Sequence, residues 1–280
     1  RSQGVIAEYS HDMVVDAIED FGKELPRGID DYRQELHDFV LRLYEKAAGP
    51  EATHFLDKTP PYYFVADEII RLFPEAKFVF LWRNPLSIVA SIIETWHHGR
   101  WHATAHREDL FIGLPRLMTA YQNNRSHVHS IRFEDLLAGD DEPWRSLMEH
   151  LEIPFDPKAL GNFTEVHLHG RTGDPTGVKT YSALSTEPMQ KWQRTLANPL
   201  RKEWCRRYLR FLGNDRLTTI GYDGDQLIRE LNSYPTSTAA LASDAGRLIG
   251  DLLKEPVRAH IRRRGIGGPN VIRELLKVKR

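Results

Sequence analysis

The stretch KFVFLWRNPLSIVAS, Lys77 to Ser91, decides how this 280-residue chain is read. KFVFLW (77–82) is an apolar run of strand length, as buried parallel strands are. Arg83 follows, then Asn84 and Pro85. Proline is tolerated in the first turn of a helix, so PLSIVASIIETWHH (85–98) is predicted to be helical. An arginine thus stands where the carboxyl end of a strand hands over to a helix. In open parallel sheets ligands bind in the crevice outside those ends. A guanidinium there presents a planar fork of donors suited to phosphate or carboxylate. Ser87 and Ser91, four apart, share one helix face. Arg83 and Ser91 can therefore hold one anion between them. The plainer reading pairs Arg83 with a carboxylate and turns the serines back onto helix carbonyls.

Outward from this centre the pattern alternates. Residues 12–22 and 30–48 carry apolar side chains at helical spacing. HFLD (54–57) is a strand candidate, closed by Lys58-Thr59-Pro60-Pro61, which cannot continue a strand. PYYFVADEIIRLF (61–73) is an amphipathic helix candidate. VHSIRF (128–133) is a second apolar strand, and EDLLAGDDEPWRSLMEHLEI supplies a turn and a helix. This order implies an α/β fold with a parallel sheet flanked by helices. Residues 155–185 are rich in Gly, Pro, Asp and Thr, and long loops in compact domains are often functional. Two helices, EPMQKWQRTL and NPLRKEWCRRYLRFLG, follow. Residues 224–280 are expected to form a helical extension to an α/β domain spanning 1–223.

Composition narrows the function classes. A formal net charge of -1 gives no global attraction to nucleic acid. One cysteine, Cys205, excludes an internal disulfide and fits a reducing, cytoplasmic compartment. The opening RSQGVIAEYSHD lacks the apolar core of a signal peptide, and no apolar run reaches the roughly 20 residues that span a bilayer. From Asp251 to Arg280 nine Lys or Arg stand against three Asp or Glu. That basic tail reads as a solvated helical surface, with membrane-surface or partner docking as the alternative.

Beyond these local arguments, FLDKTPPYYFVADEIIRLFPEAKFVFLWRNPLSIVASI resembles sulfotransferases that use 3′-phosphoadenylyl sulfate, in the branch of bacterial and tyrosylprotein sulfotransferases. Two linked signatures carry the resemblance. One is Lys58-Thr59-Pro60 followed by Phe73-Pro74-Glu75-Ala76-Lys77-Phe78. The other is Arg83-Asn84-Pro85 with Ser91 eight positions after the arginine. The resemblance implies a P-loop-type fold, with Arg83 and Ser91 on the 3′-phosphate of the donor. SIRFEDLL resembles the family's strand end whose aromatic residue contacts adenine, which places Phe133 there; plain core packing is the alternative. GRTGDPTGVKTYSALSTEPMQKW resembles the segment that closes over the nucleotide. It makes Arg171, Lys179, Ser185 and Lys191 candidate phosphate contacts.

The family's phosphate-binding loop, Arg-Ser-Gly-Thr-(Thr/Ser) after a first strand, is not found. The expectation is that the sequence begins downstream of that strand and loop; the competing reading is a degenerate relative that cannot hold the donor. Sulfuryl transfer needs a cation at the bridging oxygen, which the resemblance assigns to Lys58. It also needs a base for the acceptor's proton, with Glu8 as first candidate and a histidine such as His11 as second. His98, His102 and His106 fall on one face if the helix persists past Gly99. No cysteine is nearby, so no metal is expected. Instead His98, Trp101 and His102 are candidates to line the pocket of an acceptor, with His167 and His169 as weaker ones. A carbohydrate, lipid or other small-molecule hydroxyl, or an amine, would serve as acceptor. The rival readings are a nucleotide-binding scaffold without activity and a P-loop kinase relative.

Overall fold

The computed structural model describes residues 11–161 and 184–250. They fall into two compact units, residues 11–59 with 248–250, and the described residues of 60–247.

In the first unit, α1 (His11–Lys23) and α2 (Ile29–Ala48) pack together across a short connection. Gly28 ends that connection at φ 68°, a backbone conformation that favours glycine. Residues 54–57, expected to be a strand, are irregular instead. Their ties run to α2 through side chains: Phe55 stacks on Tyr44 at 4.4 Å, and the Tyr44 hydroxyl donates to Asp57. With no backbone partner strand among the described residues, a four-residue apolar run gains nothing from an extended ladder.

The second unit is built on β1 (Phe78–Trp82) and β2 (Val128–Arg132). They pair in parallel, with Phe78 opposite Val128 and Trp82 opposite Arg132. α3 (Ala66–Leu72) precedes β1, while α4 (Pro85–Ser91) and α5 (Leu114–Asn123) lie between the two strands in sequence. After β2 come α6 (Phe133–Leu137) and α7 (Glu142–Leu151). Then follow α8 (Glu187–Thr195), α9 (Pro199–Leu212), α10 (Asn214–Thr219) and α11 (Gly224–Ser233). The expected α/β class with a parallel sheet and flanking helices is what is found, in a mostly helical chain.

The strands differ from expectation in burial. Phe80 and Trp82 are buried, and the Trp82 indole donates to Ser130 Oγ at 2.9 Å. Val79 and Leu81, on the other face, stay 39% and 52% exposed. The predicted helix 61–73 divides into a 3₁₀ turn, Pro60–Phe64, and α3. The break falls at Val65, which leaves helical geometry at φ −136° and whose N–H donates to Tyr62 O at 2.9 Å.

The centre of the core is α4. Leu86, Val89, Ala90 and Ile93 are buried on its line, and α8 packs against it with Trp192 and Leu196 buried. Removing such side chains from water contributes about 1.5–3 kcal/mol for each large one. The α8–α9 junction is tied by a buried ion pair. Arg201 Nε donates to Asp244 Oδ2 at 2.7 Å, and the two side chains are 6% and 1% exposed. Arg201 also donates to the carbonyls of Thr195 at 2.7 Å and Gly99 at 2.8 Å. Asn198 both caps α9, accepting from Arg201 N–H at 2.9 Å, and donates to Asp244 at 2.6 Å. Every polar arm of the cluster therefore has a partner, which a buried charge pair requires.

Candidate functional site

The site grows from the carboxyl ends of the two paired strands. The residue after each strand is the one that matters. Arg83 follows Trp82, Phe133 follows Arg132, and Trp82 and Arg132 are partners in register. The guanidinium carbon of Arg83 lies 4.8 Å from the centre of the Phe133 ring. Two residues singled out in separate motifs, fifty positions apart, are thus brought face to face. A guanidinium over an aromatic face is attracted by the ring's quadrupole.

The turn that holds Arg83 is fixed from several sides. The Asn84 side chain accepts from Leu86 N–H at 2.9 Å, capping α4, with Pro85 in the first turn. Asn84 N–H donates to Glu134 Oε1 at 2.9 Å. The other oxygen of Glu134 accepts from the Tyr222 hydroxyl at 2.6 Å. Burial and Glu134 push the Tyr222 phenol far above its ordinary range, so it stays a donor. Arg132 grips Asp135 through Nε at 2.8 Å and donates to Gly221 O at 2.8 Å. Gly221 has φ 86°, and a Cβ there would stand 2.9 Å from Arg132 Cδ. The RFED run thus does four jobs: Arg132 ties to Gly221, Phe133 meets Arg83, Glu134 braces the Arg83 turn, and Asp135 holds Arg132. Glu134 and Asp135 lie inside the SIRFEDLL motif, which by itself assigns them no role, and Tyr222 lies in no motif; the capped turn gives all three their meaning.

Ser91, the last residue of α4, is half-buried. Ser87 is 2% exposed and its Oγ has no hydrogen-bond partner among the described residues. Ser185 accepts from Glu187 N–H at 3.2 Å, at the start of α8. Lys191 pairs with Glu187 at 2.8 Å on the exposed face of α8. Lys58 is exposed and lies in the first unit. Glu8, Arg171, Lys179, His167 and His169 lie outside the described residues.

The histidine segment departs from expectation. The helix does not persist past Gly99. It widens to a π-helical turn over Ile92–Trp96 and ends with His98 at φ 51° and Gly99 at φ 80°. The face expected to carry His98, His102 and His106 is therefore replaced by another grouping. His97 packs against His102 at 4.8 Å and His106 at 5.2 Å between ring centres, and its Nε2 lies 3.1 Å from His106 Nε2. His98 is exposed. Trp101 is 1% exposed and packs edge-on against Trp204 at 5.2 Å, beneath Arg201. It belongs to the core. Among the described residues no group of three or more His, Cys, Asp or Glu side chains is placed to hold a metal ion. No described helix is long and apolar enough to cross a membrane.

Comparison with known proteins adds two findings. A family model described as "Sulfotransferase family" matches residues 10–157, more than half of the chain. The chain is similar to nodulation protein NoeE of Sinorhizobium fredii, with 28% identity over 212 residues. That alignment covers 66% of this chain and 48% of the relative, so the chain spans about half that protein's length.

Proposed function

This chain belongs to the sulfotransferase family, and from that premise we propose that it moves the sulfuryl group of 3′-phosphoadenylyl sulfate onto a hydroxyl, that of a carbohydrate above other acceptors. The observation that carries the reading is the Arg83–Phe133 pair at the ends of two parallel strands. A guanidinium and an aromatic ring, 4.8 Å apart, match a nucleotide's phosphate and base. Arg83 and Ser91 take the 3′-phosphate, and Phe133 stacks on the adenine. Ser185, Lys191, Arg171 and Lys179 serve as further phosphate contacts. Lys58 supplies the cation at the bridging oxygen. Positioning and fixed charge then do most of the work, as in phosphoryl transfer. Trp96, 58% exposed just before the histidine turn, offers a flat apolar face to a sugar ring.

Calorimetric titration with adenosine 3′,5′-bisphosphate tests the reading. Arg83→Ala is expected to weaken binding by more than about 1.5 kcal/mol, the lower range for a charged hydrogen bond. Equal affinity of the variant and the unaltered protein would remove the reading's main support.

A further inference from the structure

The histidine turn holds a second constellation that the nucleotide residues do not use. Tyr63, Asp109, His106 and His97 form one hydrogen-bonded line. The Tyr63 hydroxyl donates to Asp109 Oδ1 at 2.6 Å. Asp109 Oδ2 lies 3.4 Å from His106 Nδ1, and His106 Nε2 lies 3.1 Å from His97 Nε2. Desolvation and Asp109 raise the Tyr63 phenol well above its ordinary range, so it remains protonated and only donates.

The line fixes the tautomers by elimination. A carboxylate accepts only, so His106 must carry its proton on Nδ1. With the ring neutral, His106 Nε2 is then an acceptor. His97 must therefore place its own proton on Nε2. That leaves the Nδ1 lone pair of His97 free to take a proton, and no hydrogen bond to it exists among the described residues. This is the arrangement of a base oriented by a chain of partners.

We propose that His97 is the general base that removes the acceptor hydroxyl's proton, with His106, Asp109 and Tyr63 as its positioning residues. The proposal rests on the sulfotransferase reading above. In the step, the acceptor oxygen forms the new bond to sulfur. The bond from sulfur to the bridging oxygen breaks, its electron pair stays on the departing phosphate, and the acceptor proton goes to His97 Nδ1. Two further features fit. His97 closes the same continuous helical segment that begins beside Arg83, six residues beyond Ser91, about 9 Å along the axis. Partial burial, with His102, His106, Arg247 and His98 around it, holds the imidazole below its usual range, so it is neutral and able to accept at neutral pH. Arg247 faces the cluster through His102 Nε2, to which it donates.

The test uses the full chain, ³⁵S-labelled 3′-phosphoadenylyl sulfate and a cell extract as the source of acceptors. His97→Gln is expected to lower labelling about 100-fold or more, with affinity for adenosine 3′,5′-bisphosphate unchanged. That unchanged affinity also shows that the variant folds. Asp109→Asn offers His106 Nδ1 a donor in place of an acceptor. Imidazole ¹⁵N spectra of that variant should show both rings in the opposite tautomer, with labelling reduced to a similar degree. With a merely structural Asp109, the tautomers would change and labelling would be retained. Full labelling by His97→Gln overturns this proposal and leaves the family reading standing. Failure of the unaltered chain to bind the bisphosphate overturns both, and binding without any labelling counts against transfer and base together.

Discussion

At the scale of single residues, the two signatures are read best where chemistry and position coincide. Arg83 could be found in the sequence because a cation after an apolar run is conspicuous and Pro85 marks the start of a helix just beyond it. Phe133 could be found only through the resemblance, since an aromatic at a strand end is usually core. The structure adds the fact that joins them, a ring beneath a guanidinium at 4.8 Å. Phe133→Ala should weaken binding of adenosine 3′,5′-bisphosphate by about 1–3 kcal/mol, the range for loss of one stacked base, whereas Phe133→Tyr should retain it. Titration of the two variants side by side checks this. The role of Glu134 and Tyr222 is illegible for another reason. Glu134 sits in a motif that assigns it no partner, Tyr222 sits in none, and their bond spans 88 positions. The Asp–His–His line was hidden by a single backbone angle. Continued helix geometry puts His98 on the face with His102, but the left-handed residue at 98 ends the helix and leaves His97 there instead.

At the scale of elements, hydrophobic spacing sufficed to locate β1, β2 and the helices beside them. It did not foresee the π-helical turn at Ile92–Trp96, because apolar residues there satisfy either winding. Nor did it foresee the division of residues 60–72, where the backbone leaves helical geometry at Val65 inside an apolar pattern that reads as continuous. The α8–α9 junction depends on an ion pair, and its energetics are sharp. Asp244→Ala leaves the Arg201 guanidinium buried with its strongest partner gone, which should cost about 3–5 kcal/mol. Urea unfolding would read this as a lower midpoint, and adding Arg201→Met should recover part of the loss. Gly221 sets a second limit. Gly221→Ala must accept φ 86° and a 2.9 Å approach to Arg132 Cδ, and should destabilise by about 1–3 kcal/mol.

For the molecule as a whole, two depressed imidazoles set the response to acid. His97 is lowered by burial and its basic neighbours, and His129 by burial and His150, whose ring stacks on it at 5.2 Å. Both are neutral in the fold at a pH where the unfolded chain, with a value of 6.5, already takes up protons. The unfolded state then binds more protons, so stability is complete above that value and falls as pH drops through it. Melting temperatures at pH 7.5 and 5.5 should differ accordingly, and His129→Gln should narrow the gap. The packing of α4 against α8 has a practical outcome for anyone preparing a shorter piece of this chain. A fragment ending at residue 157, where the family match ends, keeps Arg83, Phe133 and Glu134 but drops Trp192, Leu196, Arg201 and the bracing Tyr222. Its exposed oil would drive it into inclusion bodies, whereas one carried through residue 247 should stay in solution.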